Sequence, residues 1–205
     1  MSQEVTPLNL LGKILLPVVQ GGMGVGVSAG RLAGTVASLG AMGTISSVDL
    51  RRKHPNLMAL TAHLTDEPNA RKRIDQANLE ALKREIAQAR ELSRGQGLIA
   101  VNVMKALSAY EAYVRQAMES GADALVVGAG LPLDLPDLAK DHPNVGLIPI
   151  LSDPRGVQLL IRKWEKKGRL PDAIVIVSGC VNPRLFAAER QPAPKGPARR
   201  AVQNG

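Results

Sequence analysis

From Ile14 to Val177, short aliphatic and β-branched runs alternate with longer stretches of helical period. The runs fall at 14–19, 42–46, 98–103, 124–128, 146–151 and 173–177, and each predicts a strand. Several are continuously apolar, among them Ala124-Leu-Val-Val127 and Ala173-Ile-Val-Ile-Val177. Parallel strands covered on both faces read this way, so the alternation points to an α/β fold of parallel β/α units.

The helical stretches carry their own punctuation. Ser108 and Glu111 make a capping box before a helix predicted over 109–120, and Gly121 ends it. Asp153 and Pro154 open another, with Val157, Leu160, Ile161 and Trp164 on one face. Lys166 and Lys167 form its solvated, dipole-compatible end before Gly168. Segment 47–97 is too long for an ordinary βα connection. It predicts a polar loop over 49–69 and an amphipathic helix over about 70–94. Ile74, Ala77, Leu82, Ile86, Ala89 and Leu92 line one face of that helix, and Glu80 and Arg84 form an i,i+4 pair. The helix either covers the sheet or lies over a site as a lid.

Composition narrows the class. With 45% hydrophobic residues among 205, the chain can bury one sizeable core. It has no apolar run of about 18 residues and no signal-peptide pattern, which predicts a cytoplasmic chain that does not engage a membrane. A single cysteine, Cys180, excludes an internal disulfide and a cysteine-rich zinc site. His54 and His142 each precede a proline and His63 lies in the long insertion, so all three are expected on the surface and no metal is predicted. Aromatics are 2%, too few for the stacking platforms of single-strand nucleic-acid binders. The net charge is +8, and Arg184, Arg190, Lys195, Arg199 and Arg200 against Glu189 place half of that excess in residues 178–205. With Pro183, Pro192, Pro194 and Pro197, this part reads as a basic, disordered tail without a motif for specific nucleic acid.

The densest chemical signal is Gln20-Gly-Gly-Met-Gly-Val-Gly-Val-Ser-Ala-Gly30, directly after the first strand. Such glycines let the backbone approach a ligand and leave amide hydrogens bare; they also suit a tight strand-to-helix turn. Ser28 is placed to cap the following helix. Gly24 to Ala29 also match the dinucleotide pattern G-x-G-x-x-A, with Asp49 25 residues beyond Gly24 as the ribose acid. Asn102 stands inside the apolar run Ile99-Ala-Val-Asn-Val103. Its amide needs partners once buried, and either a ligand or a neighbouring strand end can supply them. In a β/α barrel Ser46, Ser47, Asn102, Gly128, Gly130 and Ser152 would gather at the C-terminal face, where sites are built.

Pro17-Val-Val-Gln-Gly-Gly-Met-Gly24 and Leu39-Gly-Ala-Met-Gly-Thr-Ile-Ser46 resemble the nitronate monooxygenase family, formerly 2-nitropropane dioxygenases. Leu98 to Met104, Ala124 to Pro132 and Pro171 to Ile176 continue the resemblance, which covers residues 7 to 177. It implies an FMN-dependent (β/α) barrel of TIM type that oxidises alkyl nitronates with O2, with flavin-dependent enoyl reductases among its relatives. It also implies that Gly22, Met23 and Gly24 face the isoalloxazine ring, that Asn102 contacts the flavin, and that Gly128 and Gly130 border the pocket. The family's pattern then runs to an acidic residue and Gly-Gly-His, whose histidine is catalytic. Here Val177-Ser-Gly-Cys-Val-Asn182 stands instead, so no catalytic residue is assigned. The last two β/α units and their phosphate loops are missing too, and the end reads as a truncated or shifted frame. The domain expectation is a partial FMN-binding barrel over 1–177, about six of eight strands, followed by the tail at 178–205. Its unpaired edges leave room for a homo-oligomer.

Three classes of function follow. One is an FMN-dependent nitronate oxidoreductase, impaired in this form. Another is an NAD(P)-dependent dehydrogenase of Rossmann type, and the third is a non-enzymatic remnant or interaction protein.

Overall fold

The computed structural model describes residues 6–64 and 69–177. A short antiparallel hairpin, β1 (Leu8–Leu10) and β2 (Lys13–Leu15), comes first. Then follow α1 (Gly30–Ser38), β3 (Met42–Ser46), a 3-10 turn (Leu50–Lys53), α2 (Pro55–Thr61) and α3 (Ala70–Ser93). The rest is β4 (Leu98–Met104), α4 (Tyr110–Glu119), β5 (Ala124–Gly128), α5 (Leu135–Leu138), β6 (Gly146–Leu151), α6 (Pro154–Glu165) and β7 (Val175–Ile176). Strands β3 to β7 form one parallel sheet in sequential order. It is curled, a half-barrel.

The sheet sorts its side chains by period. Ile45, Ile99, Val101, Val103, Leu125, Val127 and Leu147 face the helices and share a core with Ala33, Ala37, Leu82, Ile86, Val114 and Trp164. Met42, Leu98, Ala100, Ala124, Val126 and Ile148 face the other way and meet Leu10 and Leu15 of the hairpin. The hairpin therefore plugs the concave side. Two aspartates repeat one joint: Asp123 Oδ2 accepts from Ile99 N at 2.7 Å, and Asp172 Oδ2 accepts from Leu147 N at 2.8 Å. Each anchors the start of one strand to its neighbour by a charge-assisted bond.

Several expectations are corrected. About six parallel strands were expected, and among the described residues five form. The run 14–19 divides, since Lys13–Leu15 pairs antiparallel with Leu8–Leu10 and only Val19 bridges in parallel to Met42. Pro17 cannot donate to a ladder, which breaks the run. The run 173–177 shortens to Val175–Ile176. Residues 49–69 are not a plain polar loop: Pro55 starts α2, and Leu50, Leu57 and Thr61 are buried. The Ser108–Glu111 box does not form, because α4 begins at Tyr110 after Ala109 without a side-chain cap. Lys167 is no free helix end, as it donates to Leu133 O at 2.8 Å and pairs with Asp137.

The Rossmann alternative fails on topology. A doubly wound sheet reverses its strand order at a switch point and carries helices on both faces, whereas this order runs β3-β4-β5-β6-β7 without reversal. Asp49 stands at φ 50° and is paired with Arg51 and Arg52. Asp153 does cap α6 as expected, accepting from Gly156 N at 2.9 Å. Helix α3 is the covering kind, with Ala77, Ala81, Leu82, Ile86 and Ala89 buried and Glu80 bound to Arg84 at 2.8 Å. Among the described residues no helix is long and apolar enough to cross a membrane. The expected tail at 178–205, with Cys180, lies outside the described residues.

Candidate functional site

The concave face holds a cavity of about 450 Å³, within the rough 300–1,000 Å³ of small-molecule pockets. Its wall is apolar, from Leu8, Leu10, Met42, Val126, Ile148 and Ile150. Gln20, Thr44 and Asn102 supply the polar side chains, and Gly21 and Gly22 supply backbone.

The glycine loop is tied by two side chains. Gln20 Oε1 accepts from Thr44 N at 3.0 Å, while its Nε2 donates to Ser28 Oγ at 2.9 Å. Ser28 Oγ in turn accepts from Met23 N at 2.8 Å and donates to Gly21 O at 3.0 Å. Ser28 is thus spent inside the loop and does not cap α1, which begins at Gly30. The loop lies close to the sheet at Gly22, where a Cβ would fall 2.6 Å from Asn102 Cβ. Only glycine fits there.

Gly22 and Asn102 therefore meet at one cavity. Asn102 is half-buried and its side-chain amide makes no hydrogen bond among the described residues, whereas Thr44 Oγ1 is buried without a partner. A buried polar group is rarely left so, and Thr44 and Asn102 lie on the lining of the same space. Met23 and Gly24 stand on the exposed outer part of the loop. Gly128 ends β5 against Ile150, and Gly130 packs on Lys105; neither lines the cavity. Lys105 lies 2.6 Å from Asp134 Oδ2 and 4.0 Å above the Tyr110 ring. Burial foremost, then Asp134 and Glu111, pushes the Tyr110 phenol well above its usual range.

Sequence reasoning missed Thr44 and the bracing role of Gln20. Period 2 carried the signal for Thr44, since the strand that turns Met42 inward must turn Thr44 inward as well. It also misplaced His54. Expected on the surface, His54 is partly buried, with Nε2 3.0 Å from Oε1 of the buried Glu85. His63 is exposed and His142 half-buried, and no histidine lines the cavity.

A one-sided helical layer, a sequential parallel sheet and a glycine loop over its concave face describe part of a β/α barrel. The nitronate monooxygenase family model matches residues 6–181, and the chain belongs to that family. Among solved structures it is similar to FabK from Thermotoga maritima, at 20% identity and TM-score 0.52, over 77% of this chain and 39% of that one. A methionine-to-alanine mutant of the same FabK gives 19%, 0.51, 77% and 41%. A nitroalkane oxidase from Streptomyces ansochromogenes gives 14% identity and TM-score 0.33 over 79% of this chain and 64% of that one; no argument rests on that overlap. At these identities the FabK likeness concerns the fold alone. The chain spans about two fifths of the FabK chains. A comparison with curated proteins finds no match.

Proposed function

We propose that this chain is the ring-binding part of an FMN-dependent oxidoreductase of the nitronate monooxygenase type, with alkyl nitronates and O2 as substrates. The observation that carries the reading is the buried, unpartnered Thr44 Oγ1 beside the half-buried Asn102 amide on a largely apolar cavity. A flat, largely apolar ring with a polar edge answers both features. Gly21 and Gly22 allow close backbone approach, and Asn102 and Thr44 would pair with the edge. Met23, Gly24, Gly128 and Gly130 remain candidates at the rim. The cavity lining contributes no charged side chain, so a phosphate would gain little there. FMN held by Gly21, Gly22, Thr44 and Asn102 would supply electron-transfer chemistry between substrate and O2.

The lining residues would orient a ligand and exclude water on one side; among the described residues that line the cavity there is no base. Abstracting a proton beside a nitro group needs a group within hydrogen-bond reach, worth typically 10²–10⁴-fold. A pre-formed nitronate needs no such step. The 205-residue chain is accordingly expected to turn over nitronates slowly and neutral nitroalkanes hardly at all.

Titration with FMN tests the reading. Flavin bands near about 370 and 450 nm should appear on binding, with a dissociation constant weaker than ~1 μM because phosphate contacts usually supply much of a nucleotide's charge-assisted bonding. Absence of any binding would overturn the reading, and sub-micromolar affinity would overturn the weak-phosphate part. O2 uptake with a nitronate and its parent nitroalkane tests the chemistry, and robust nitroalkane turnover would contradict it.

A further inference from the structure

Among the described residues between β3 and β4 none lines the cavity, yet this segment touches the back of the glycine loop at two points. Glu85, on α3, is buried at 3% exposure. Its Oε2 accepts from Gly30 N at 2.6 Å, across 55 residues of chain. Its Oε1 lies 3.0 Å from Nε2 of His54, the residue between the 3-10 turn and α2. One position earlier, Lys53 Nζ donates to Gly26 O at 3.4 Å, and a Cβ on Gly26 would touch the Lys53 stem. Gly30 permits the approach, since a Cβ there would fall 2.2 Å from the Glu85 carbonyl oxygen.

A buried carboxylate is costly unless it is paired and hydrogen-bonded. Glu85 accepts one hydrogen bond, from Gly30 N, and its other oxygen is at ion-pair distance from His54 Nε2, which is not aligned for a hydrogen bond; each contact belongs to a segment beside the loop. Gly30 follows Ser28, whose hydroxyl holds Met23 N and Gly21 O, and Gly21 and Gly22 line the cavity. A chain of contacts therefore runs from His54 through Glu85 and Gly30 to the loop backbone that lines the cavity. Packing alone does not require an acid here, because α1 and α3 already meet through small residues such as Ala33, Ala37 and Ala89.

We propose that Glu85 and His54 are positioning residues: they set the glycine loop in its ligand-ready conformation from behind, with Lys53 fixing its outer turn. The inference concerns the loop of the flavin site proposed above and rests on that reading only for what the loop binds.

The test uses the full 205-residue chain and its variants Glu85→Gln, Glu85→Ala, His54→Ala and, as a control on α3, Arg84→Ala. Backbone amide exchange is read at Met23 and Gly30 without ligand, thermal unfolding is followed in parallel, and FMN is titrated by fluorescence. Glutamine retains an acceptor for Gly30 N, so Glu85→Gln should keep Gly30 exchange within about threefold of the parent. His54→Ala should raise exchange at both amides about tenfold, as expected for leaving a buried carboxylate without its ion-pair contact, and weaken FMN several-fold while the unfolding midpoint barely moves. Glu85→Ala should do the same more strongly; if it does not fold, His54→Ala and Glu85→Gln still decide. Unchanged exchange in His54→Ala, or a rise matched by Arg84→Ala, would overturn the proposal. If exchange responds as stated but the parent chain binds no FMN, the brace stands and the flavin reading fails.

Discussion

On the convex face of the sheet, Val101, Val103, Leu125, Val127 and Leu147 are fully buried beneath the helices. On the concave face Val19 and Val175, which both line the cavity, are 50% and 37% exposed. Along the middle strands the concave face is buried as well, at Met42, Ala100, Ala124 and Ile148; the exposed positions lie at the ends of the sheet, Val19 on a single bridge to β3 and Val175 on β7, so the difference lies in what covers them. Helices connecting consecutive strands cover the convex face by local sequence alone. The concave face of a barrel is covered by strands from the opposite wall; here the described residues supply only the hairpin. Stability should therefore reside in the convex layer and ligand chemistry in the concave one.

The harshest way to break that comparison is at Trp164, wholly buried with Nε1 donating to Pro132 O at 3.1 Å. Trp164→Ala should cost about 3–5 kcal/mol, enough to remove much of the ~5–15 kcal/mol that holds a domain together. Urea unfolding measures it. A loss under about 1 kcal/mol would mean that the convex layer is not the stabilising one.

A matched pair is more discriminating. Val101 and Val126 lie on adjacent strands, with Val101 opposite Leu125 and Asn102 opposite Val126. They face the two layers, Val101 among helices and Val126 on the cavity. Val101→Ala should cost about 2 kcal/mol and Val126→Ala about 1 or less, because the second site already borders empty space and adds little new cavity. Equal losses would erase the distinction between the faces.

The convex layer is also the part that the sequence made legible. The runs at 42–46, 124–128 and 146–151 became strands with those bounds, since a continuous apolar run between turn residues leaves few other ways to bury itself. The long helix was equally plain, at 70–93 against about 70–94. What escaped depends on partners distant in sequence. The run 14–19 looked like any other strand, but Pro17 and the shortage of neighbours leave it a single parallel bridge. Ser28 looked like a helix cap until Gln20 and Met23 claimed its hydroxyl. His54 next to Pro55 looked solvent-bound, and nothing local points to Glu85. Within the candidate site, Gly22 and Asn102 were visible as odd residues in apolar surroundings. Thr44 was not, because a threonine suits a strand without further reason.

Alkaline pH probes the convex side through Tyr113. Burial foremost, then Asp75 and Asp49, pushes its phenol up to about 12 against the usual 10.0, with the Asn78 hydrogen bond and Arg51 opposing. An unfolded chain releases that proton near 10 while the folded one retains it. The contribution is thus complete below pH 10 and is lost as pH climbs from 10 towards 12. Replacing the phenol by Tyr113→Phe should flatten the fall of the unfolding midpoint across that window. An unaltered slope would remove Tyr113 from the account.

On the concave side the expected signs reverse. Thr44→Val removes an unpaired buried hydroxyl while keeping its shape, so unfolding free energy should hold or rise by up to about 1 kcal/mol. FMN affinity should fall in the same variant. A clear loss of stability would show that the hydroxyl already has a partner in the ligand-free chain, and the cavity would then lose its buried unsatisfied group.

The smallest effect is expected at Asp49, the acid that a dinucleotide reading would place on a ribose. It lies outside both layers, at φ 50° before the 3-10 turn. Its carboxylate is 3.0 Å from Arg51 Nε and in contact with Arg52, two cations that a ribose hydroxyl would have to displace. Asparagine tolerates positive φ far better than alanine does, so Asp49→Asn isolates the charge. The Arg52 side is largely exposed, and surface pairs of this kind are worth about 0–1 kcal/mol. Asp49→Asn should accordingly shift the unfolding midpoint little and leave FMN binding as it was. Parallel titrations with FMN and NAD decide the point. Selective loss of NAD binding would assign the Gly24–Ala29 turn to a dinucleotide and move the site from the concave cavity to the outer side of the loop.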